Sequence, residues 1–232
     1  MVKVLSIFLL LLSPVFAQLN ADQVMANARY ATTLNNIQFE GKLKSGKSTP
    51  ILLKMLGKDL QIWYEKDQVQ KGIRVVMDQN NCTLYDITAG KQAKFSPEHF
   101  GANIEGTDFT YEDISLRFLY WVKPEIIAEE KVKTQDCYVI RIFNPTAHGN
   151  YKFAHLWIHK NAFAVMKMEG YNANDQHIKS LEASDLMNVD DKIMMKKMKV
   201  QTIENGRVKS QSYLILNNPE GIKKTARPRK LR

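Results

Sequence analysis

Beyond its first seventeen residues this chain of 232 has no apolar run long enough to cross a bilayer, no Pro/Gly/Ser-rich linker and no internal repeat. The first absence excludes a helical span there, which needs about 20 consecutive apolar residues. The other two favour one domain over a repeat array or two tethered units. Catalytic signatures are missing as well: there is no Gly-x-Ser-x-Gly elbow, no phosphate loop and no dinucleotide fingerprint. The enzyme classes that depend on them have no support in the sequence. His155 and His159 are four apart, which on a strand separates them by about 13 Å, too far to share a metal. Asp190-Asp191 suits a turn between strands better than a catalytic pair. We expect a protein that is not an enzyme and uses no cofactor and no metal.

Cysteine is scarce, with Cys82 and Cys137 alone, each at the start of an apolar strand-like run. An even count in an oxidising compartment favours a bridge between Cys82 and Cys137. The other reading is two buried thiols acting as small hydrophobes. The compartment follows from the N-terminus. Lys3, the apolar stretch Val4 to Phe16 and the small-residue site Val15-Phe-Ala17 read as an export signal cleaved near Ala17. This divides the chain into a signal (1–17), a folded domain (18–218) and a basic tail (219–232). It places the mature protein in the periplasm, where we expect it to be soluble.

The net charge is +9, and Lys223, Lys224, Arg227, Arg229, Lys230 and Arg232 crowd the tail. A disordered, solvated segment is the simple expectation. The sharper one is transient contact with anionic lipid headgroups, worth roughly 1 kcal/mol per charge near the surface. No nucleic-acid-binding motif accompanies the charge, so nucleic acid is not expected as a partner.

What is present is mainly β. A helix is expected from Ala21 to Asn35, with Val24, Ala28, Ala31 and Leu34 on one face. Strands follow at 37–44, 51–56, 60–65, 72–78, 82–87 and 91–95. After an interruption they resume at 126–134, 137–143, 151–159, 163–171, 177–188, 192–203 and 208–216, joined mostly by turn residues such as Gly57-Lys-Asp59, Gln79-Asn-Asn81 and Glu204-Asn-Gly206. Several strands are apolar on both faces, which suits a curled antiparallel sheet with a helix across its mouth better than an open sheet with one wet face.

The interruption, Gly106 to Tyr120, reads as a short helical flap. Thr110 is the expected N-cap with Asp113 as the capping-box acid. Asp113 and Arg117 are expected to face each other at i,i+4. Tyr111, Ile114 and Phe118 form the apolar side, with Glu112 on the opposite, exposed face. Two turns of helix cannot stand alone, so the flap must dock on the sheet. Methionines crowd the second half: Met166, Met168, Met194, Met195 and Met198. They suit ordinary core, or a cavity wall that tolerates varied apolar guests, with Lys196 at its rim.

Gly106-Thr-Asp-Phe-Thr-Tyr-Glu-Asp-Ile114, Cys137-Tyr-Val-Ile140, Tyr151, Leu156-Trp-Ile158, Lys167-Met-Glu-Gly-Tyr171 and Lys179-Ser-Leu181, in this order, resemble the outer-membrane lipoprotein-sorting proteins of the LolA-like superfamily. The resemblance runs from about residue 20 to 217. It implies a half-open antiparallel β-barrel with a helical lid over an apolar, acyl-chain-holding cavity, to which Phe109, Tyr111, Ile114, Phe118, Met166, Met168, Met194 and Met198 are the candidate contributors. The function expected is a periplasmic carrier of lipid or lipoprotein, in contact with an inner- or outer-membrane protein, and acting as a monomer. The alternative is a sensor on the same fold that reads a lipidated ligand and signals to a membrane partner. His159 departs from the family, which commonly has Asp after the Leu-Trp-Ile run, and is expected to affect a turn.

Overall fold

The computed structural model describes residues 19–78, 81–189 and 192–219. The signal, the basic tail beyond Pro219, most of the 79–81 turn and Asp190-Asp191 lie outside the described residues. Among those described, no helix is long and apolar enough to cross a membrane.

Helix α1 (Ala21–Ala31) starts at Asn20, whose side chain accepts from the Gln23 N–H while the Gln23 side chain accepts from the Asn20 N–H, a complete capping box. It ends earlier than its apolar period suggests. Thr32 is the C-cap, Thr33 turns its hydroxyl onto the Tyr30 carbonyl, and the chain enters a strand at once. Tertiary pairing thus overrides the pattern at Leu34 and Asn35, which the sequence assigns to the helix.

Each expected strand is present. The first six are β1 (Leu34–Ser45), β2 (Lys47–Gly57), β3 (Asp59–Lys66), β4 (Val69–Met77), β5 (Cys82–Thr88) and β6 (Lys91–Lys94). The remaining seven are β7 (Val122–Val132), β8 (Gln135–Phe143), β9 (Phe153–His159), β10 (Val165–Tyr171), β11 (His177–Val189), β12 (Lys192–Glu204) and β13 (Arg207–Leu216). They make one antiparallel sheet in the order β6-β5-β4-β3-β2-β1-β13-β12-β11-β10-β9-β8-β7. Every neighbour is consecutive in sequence except β1 and β13, which pair from Gly41 with Leu216 to Lys44 with Tyr213. The edges β6 and β7 do not pair with each other, so the sheet is curled without closing into a barrel.

This topology gives the segment between β6 and β7 its role. It is the one connection that must travel from one edge of the sheet to the other, and it does so across the concave face. Residues from both halves of the sheet, from α1 and from this segment form one buried cluster that includes Phe39, Ile62, Ile73, Phe109, Phe118 and Leu156. A flat sheet could not bring these together. Alternation along β8 shows the other face. Ile140 and Ile142 enter the main cluster, whereas Cys137 and Val139 join Val132, Trp157 and Met166 in a second cluster on the convex side.

That split corrects the expected bridge. Cys82 and Cys137 are both free. Cys82 faces inward, its sulfur 4.0 Å from the Ser115 carbonyl oxygen of the flap, while Cys137 belongs to the convex cluster. Burial pushes the Cys82 thiol up to about 12, in line with a small hydrophobe and not with a nucleophile.

Candidate functional site: a flap-covered cavity

The concave face, the last turn of α1 and the flap enclose a cavity of about 130 Å³. Its walls are Leu53 and Met55 of β2, Leu60 and Ile62 of β3, Met194, Met195 and Met198 of β12, and Leu214 and Leu216 of β13; Phe109, Ile114 and Leu116 roof it. The lining residues Ala31, Thr32, Leu116, Val165, Ile193, Met194 and Met195 are half-buried and the rest of the wall is mostly buried. The cavity therefore opens between the end of α1, the flap and the start of β12. A mostly apolar lining of this kind favours an apolar guest over water. The cavity is also small beside the roughly 300–1,000 Å³ of pockets that hold drug-sized ligands. An acyl chain can enter only if the flap or α1 gives way.

The flap is not the continuous helix that the sequence suggests. It comprises one α-turn, α2 (Tyr111–Ile114), and a 3₁₀ turn (Arg117–Tyr120), separated by Leu116 at φ 51°. The expected cap is formed: Thr110 Oγ1 accepts from the Asp113 N–H at 3.2 Å and Asp113 Oδ2 from the Thr110 N–H at 2.9 Å. The break at Leu116 removes the i,i+4 geometry, so Arg117 pairs with Glu112 at 3.2 Å and not with Asp113. Glu112, expected on an exposed face, is fully buried. Its other oxygen accepts from the Asn150 N–H at 3.2 Å. Gly149, at φ +92°, packs so close that a Cβ would lie 2.3 Å from the Glu112 carboxylate. Burial raises the Glu112 carboxyl to about 7 against the opposing pull of Arg117.

Three further polar groups pin the flap to the sheet. Tyr151 donates to Asp113 Oδ1 at 2.6 Å, and burial, then Asp113 itself, pushes its phenol well up, so it remains a donor. Lys179 Nζ lies 3.7 Å from Asp113 Oδ2 and donates to the Asp108 carbonyl. The Asp108 carboxylate accepts from Thr202 and Ser212, each at 2.7 Å, and from Ser210. Burial pushes the Asp108 carboxyl up, but the three hydroxyls and Lys179 outweigh it and hold the group below its ordinary value. Gly170 leaves room for the Tyr151 ring, since a Cβ there would sit 2.5 Å from it. Asp108, Asp113, Tyr151, Gly170 and Lys179 are thus one buried latch. Satisfied buried charges of this kind are costly to break singly, because the partner is left desolvated.

The candidate residues divide accordingly. Phe109, Ile114, Met194 and Met198 line the cavity. Phe118 and Met168 are buried in the main core beside it. Tyr111 is half-buried, its ring 4.4 Å from that of Phe95. Met166 lies elsewhere, in the convex cluster with Cys137 and Trp157. Lys196 does not line the cavity and is 3.9 Å from Asp185. Sequence reasoning missed Met55, Leu60, the end of α1 and the latch lysine. Lys179 had a signal, being in phase with Leu181 and Ala183 on the apolar side of its strand. His159 does serve a turn: its Nδ1 accepts from the N–H groups of Asn161 and Ala162 at 3.1 and 3.0 Å. Among the described residues no cluster of His, Cys, Asp and Glu could hold a metal.

Solved structures share this architecture. A DUF1329 family protein from Desulfovibrio piger superposes with a TM-score of 0.68 at 16% identity, over 84% of this chain and 89% of the other. A putative outer membrane lipoprotein-sorting protein domain from Vibrio parahaemolyticus gives 0.68 at 15% identity, over 86% and 91%. A LolA superfamily protein from Nitrosomonas europaea gives 0.62 at 13% identity, over 87% and 93%. The fold is LolA-like. A family model described as "Uncharacterized protein" matches residues 58–223, and the chain belongs to that family. No curated protein matches the sequence significantly. The match begins in the β2–β3 turn, so it includes the whole flap and latch and leaves out α1, β1 and β2.

Proposed function

We propose that this LolA-like protein is a periplasmic carrier that buries acyl chains of lipids or lipoproteins under the flap and hands them on towards the outer membrane. The observation that carries this reading is an apolar, methionine-rich cavity roofed by a separate crossing segment, which buried apolar side chains such as Phe109 and Phe118 and the polar latch hold to the sheet. Burying apolar chain is favourable by about 25 cal/mol per Å², and a guest that replaces the apolar contacts of the roof offsets part of the cost of opening the latch. Methionine adapts its wall to guests of different shape. The signal-like N-terminus and the description of the Vibrio neighbour as a lipoprotein-sorting domain agree with it.

Titration with an environment-sensitive fatty-acid probe tests the proposal. Saturable binding with blue-shifted emission is expected, displaced by unlabelled lipid. Leu53→Trp, which fills the cavity from the β2 wall, is expected to weaken binding by about tenfold or more while the protein stays folded. Binding that is absent, or equal in the filled variant, contradicts the carrier. We further propose that the basic tail touches anionic membranes. Deleting residues 219–232 is expected to weaken binding to anionic vesicles in low salt and to change little in high salt, because exposed charges are screened beyond a Debye length of about 8 Å at physiological ionic strength. Equal vesicle binding by both forms in low salt removes that role.

A further inference from the structure

Two cations hold the end of α1 from outside the cavity, among main-chain oxygens and aromatic rings, and neither lines the cavity itself. Lys192 directly precedes Ile193, Met194 and Met195 of the cavity lip. Its Nζ donates to the Thr33 carbonyl at 2.7 Å, lies 3.5 Å from that of Tyr30, and is 4.5 Å from the Tyr30 ring centre. Arg29, in the last turn of α1, donates to the Leu119 carbonyl at 2.9 Å, with its guanidinium 5.7 Å from the Tyr120 ring centre. Neither forms an ion pair with a carboxylate among the described residues. Some other cations do, as with Lys58 at 3.8 Å from Asp78 and Lys196 at 3.9 Å from Asp185; what sets Arg29 and Lys192 apart is their place against the end of α1, which lines the cavity.

A surface groove of about 360 Å³ is lined in part by Arg29, Tyr30, Thr33 and Tyr120; Lys192 does not line it but contacts two of its residues, Tyr30 and Thr33. Asp78 also lines the groove and puts a negative charge there, which its ion-pair partner Lys58, on the same groove, offsets. Only the end of α1 separates the groove from the apolar cavity, with Ala31 and Thr32 facing the cavity and Tyr30 and Thr33 facing the groove. The C-terminus of a helix carries partial negative charge and by itself would repel an anion. Lys192 sits on those carbonyls and offsets that charge, while among the described residues Arg29 makes one side-chain hydrogen bond, to the Leu119 carbonyl, of the five its guanidinium can donate.

Resting on the carrier reading, we propose that this rim binds the anionic group of the cargo, so that the preferred guest is an amphiphile with a carboxylate or phosphate beside its acyl chain. Charge-assisted hydrogen bonds from Lys192 and Arg29 hold the head while the chain lies against Met194, Met198 and Leu214. A neutral lipid of equal chain length fills the same cavity without that hold.

The test compares a fluorescent fatty acid with its methyl ester, using the full mature chain and the double variant Arg29→Gln/Lys192→Gln. The parent is expected to bind the acid about tenfold more tightly than the ester. The double variant is expected to lose that preference and keep its affinity for the ester, which also shows that the cavity remains folded. Displacement of the bound acid by unlabelled fatty acid alone assigns the rim to carboxylates; displacement by short-chain phosphatidylglycerol as well extends it to phosphodiesters. Equal affinity of the parent for acid and ester, or an unchanged preference in the double variant, overturns the inference and leaves the carrier standing. Failure of both probes to bind the parent overturns the two together.

Discussion

Phe118→Asp is expected to lower the melting temperature by about 10 °C and to increase the rate of probe uptake. Phe118 is 1% exposed and sits in the 3₁₀ turn that brings the flap back to the edge strand β7. Removing a buried aromatic and leaving an unpaired charge in its place costs roughly 3–5 kcal/mol. For a domain of this size each kcal/mol moves the midpoint by about 2–4 °C. Phe118 lies beside the cavity and does not line it, so the wall that receives the guest is left intact while its cover loosens. Apparent affinity follows the fraction of molecules that are open. Ile114→Asp is a useful contrast, since Ile114 is part of the roof. It is expected to lower stability too, but to weaken probe binding by placing a charge against the guest. Scanning calorimetry and stopped-flow fluorescence on both variants check this. An unchanged melting temperature and uptake rate for Phe118→Asp would show that the segment is no lid.

The second expected effect is on pH. Glu112 titrates near 7 when buried, against an ordinary value of 4.5. A carboxyl raised in the closed state binds its proton more tightly there than in an open state where water reaches it. Its contribution to closure is therefore complete below about 4.5 and is lost as pH rises through about 7, a difference of about 3 kcal/mol at most. Mild acid is therefore expected to favour the closed flap, and neutral to alkaline pH to favour its opening. Asp108 has the opposite sign, its lowered carboxyl supporting the latch until pH falls below the ordinary carboxylate range. His155 on β9 is lowered by burial first and then by Arg141, so its share of stability grows as pH rises and overlaps the Glu112 window. Comparing the parent with Glu112→Gln separates the two. Probe uptake by the parent is expected to rise several-fold from pH 5 to pH 8, and the variant is expected to flatten that rise while keeping the His155 contribution to global stability. Parallel pH profiles for the two proteins would remove Glu112 from the flap's control.

The strands were legible because they are long, bounded by turn residues and apolar at alternating positions. Even the two-sided strands pointed correctly to a curled sheet. The flap's location was legible for a related reason: Thr110 and Asp113 form a capping box that local sequence can reveal. Its interior was not. Nothing local marks Leu116 as left-handed, yet that residue decides whether Arg117 reaches Asp113 or Glu112, and so whether Glu112 is buried. The latch escaped for a different reason. Asp108, Tyr151, Gly170 and Lys179 come from separate parts of the chain and meet only because the connection from β6 to β7 crosses the concave face. Those positions belong to the scattered motifs that carry the superfamily resemblance, so the resemblance marked the latch before its geometry was visible. The cavity was half legible. Met194 and Met198 could be read from their crowding, but only the curl of the sheet brings Met55 and Leu60 opposite them.

The most direct test places a photoreactive group at the methyl end of a fatty-acid probe and maps the adducts by peptide mass spectrometry after illumination. Burial of the chain under the flap requires adducts on the cavity wall, at Leu53 to Ile62, Met194 to Met198, Leu214 to Leu216 or Phe109 to Leu116. Adducts confined to the convex face around Met166 and Trp157, or to the tail beyond Pro219, would contradict it.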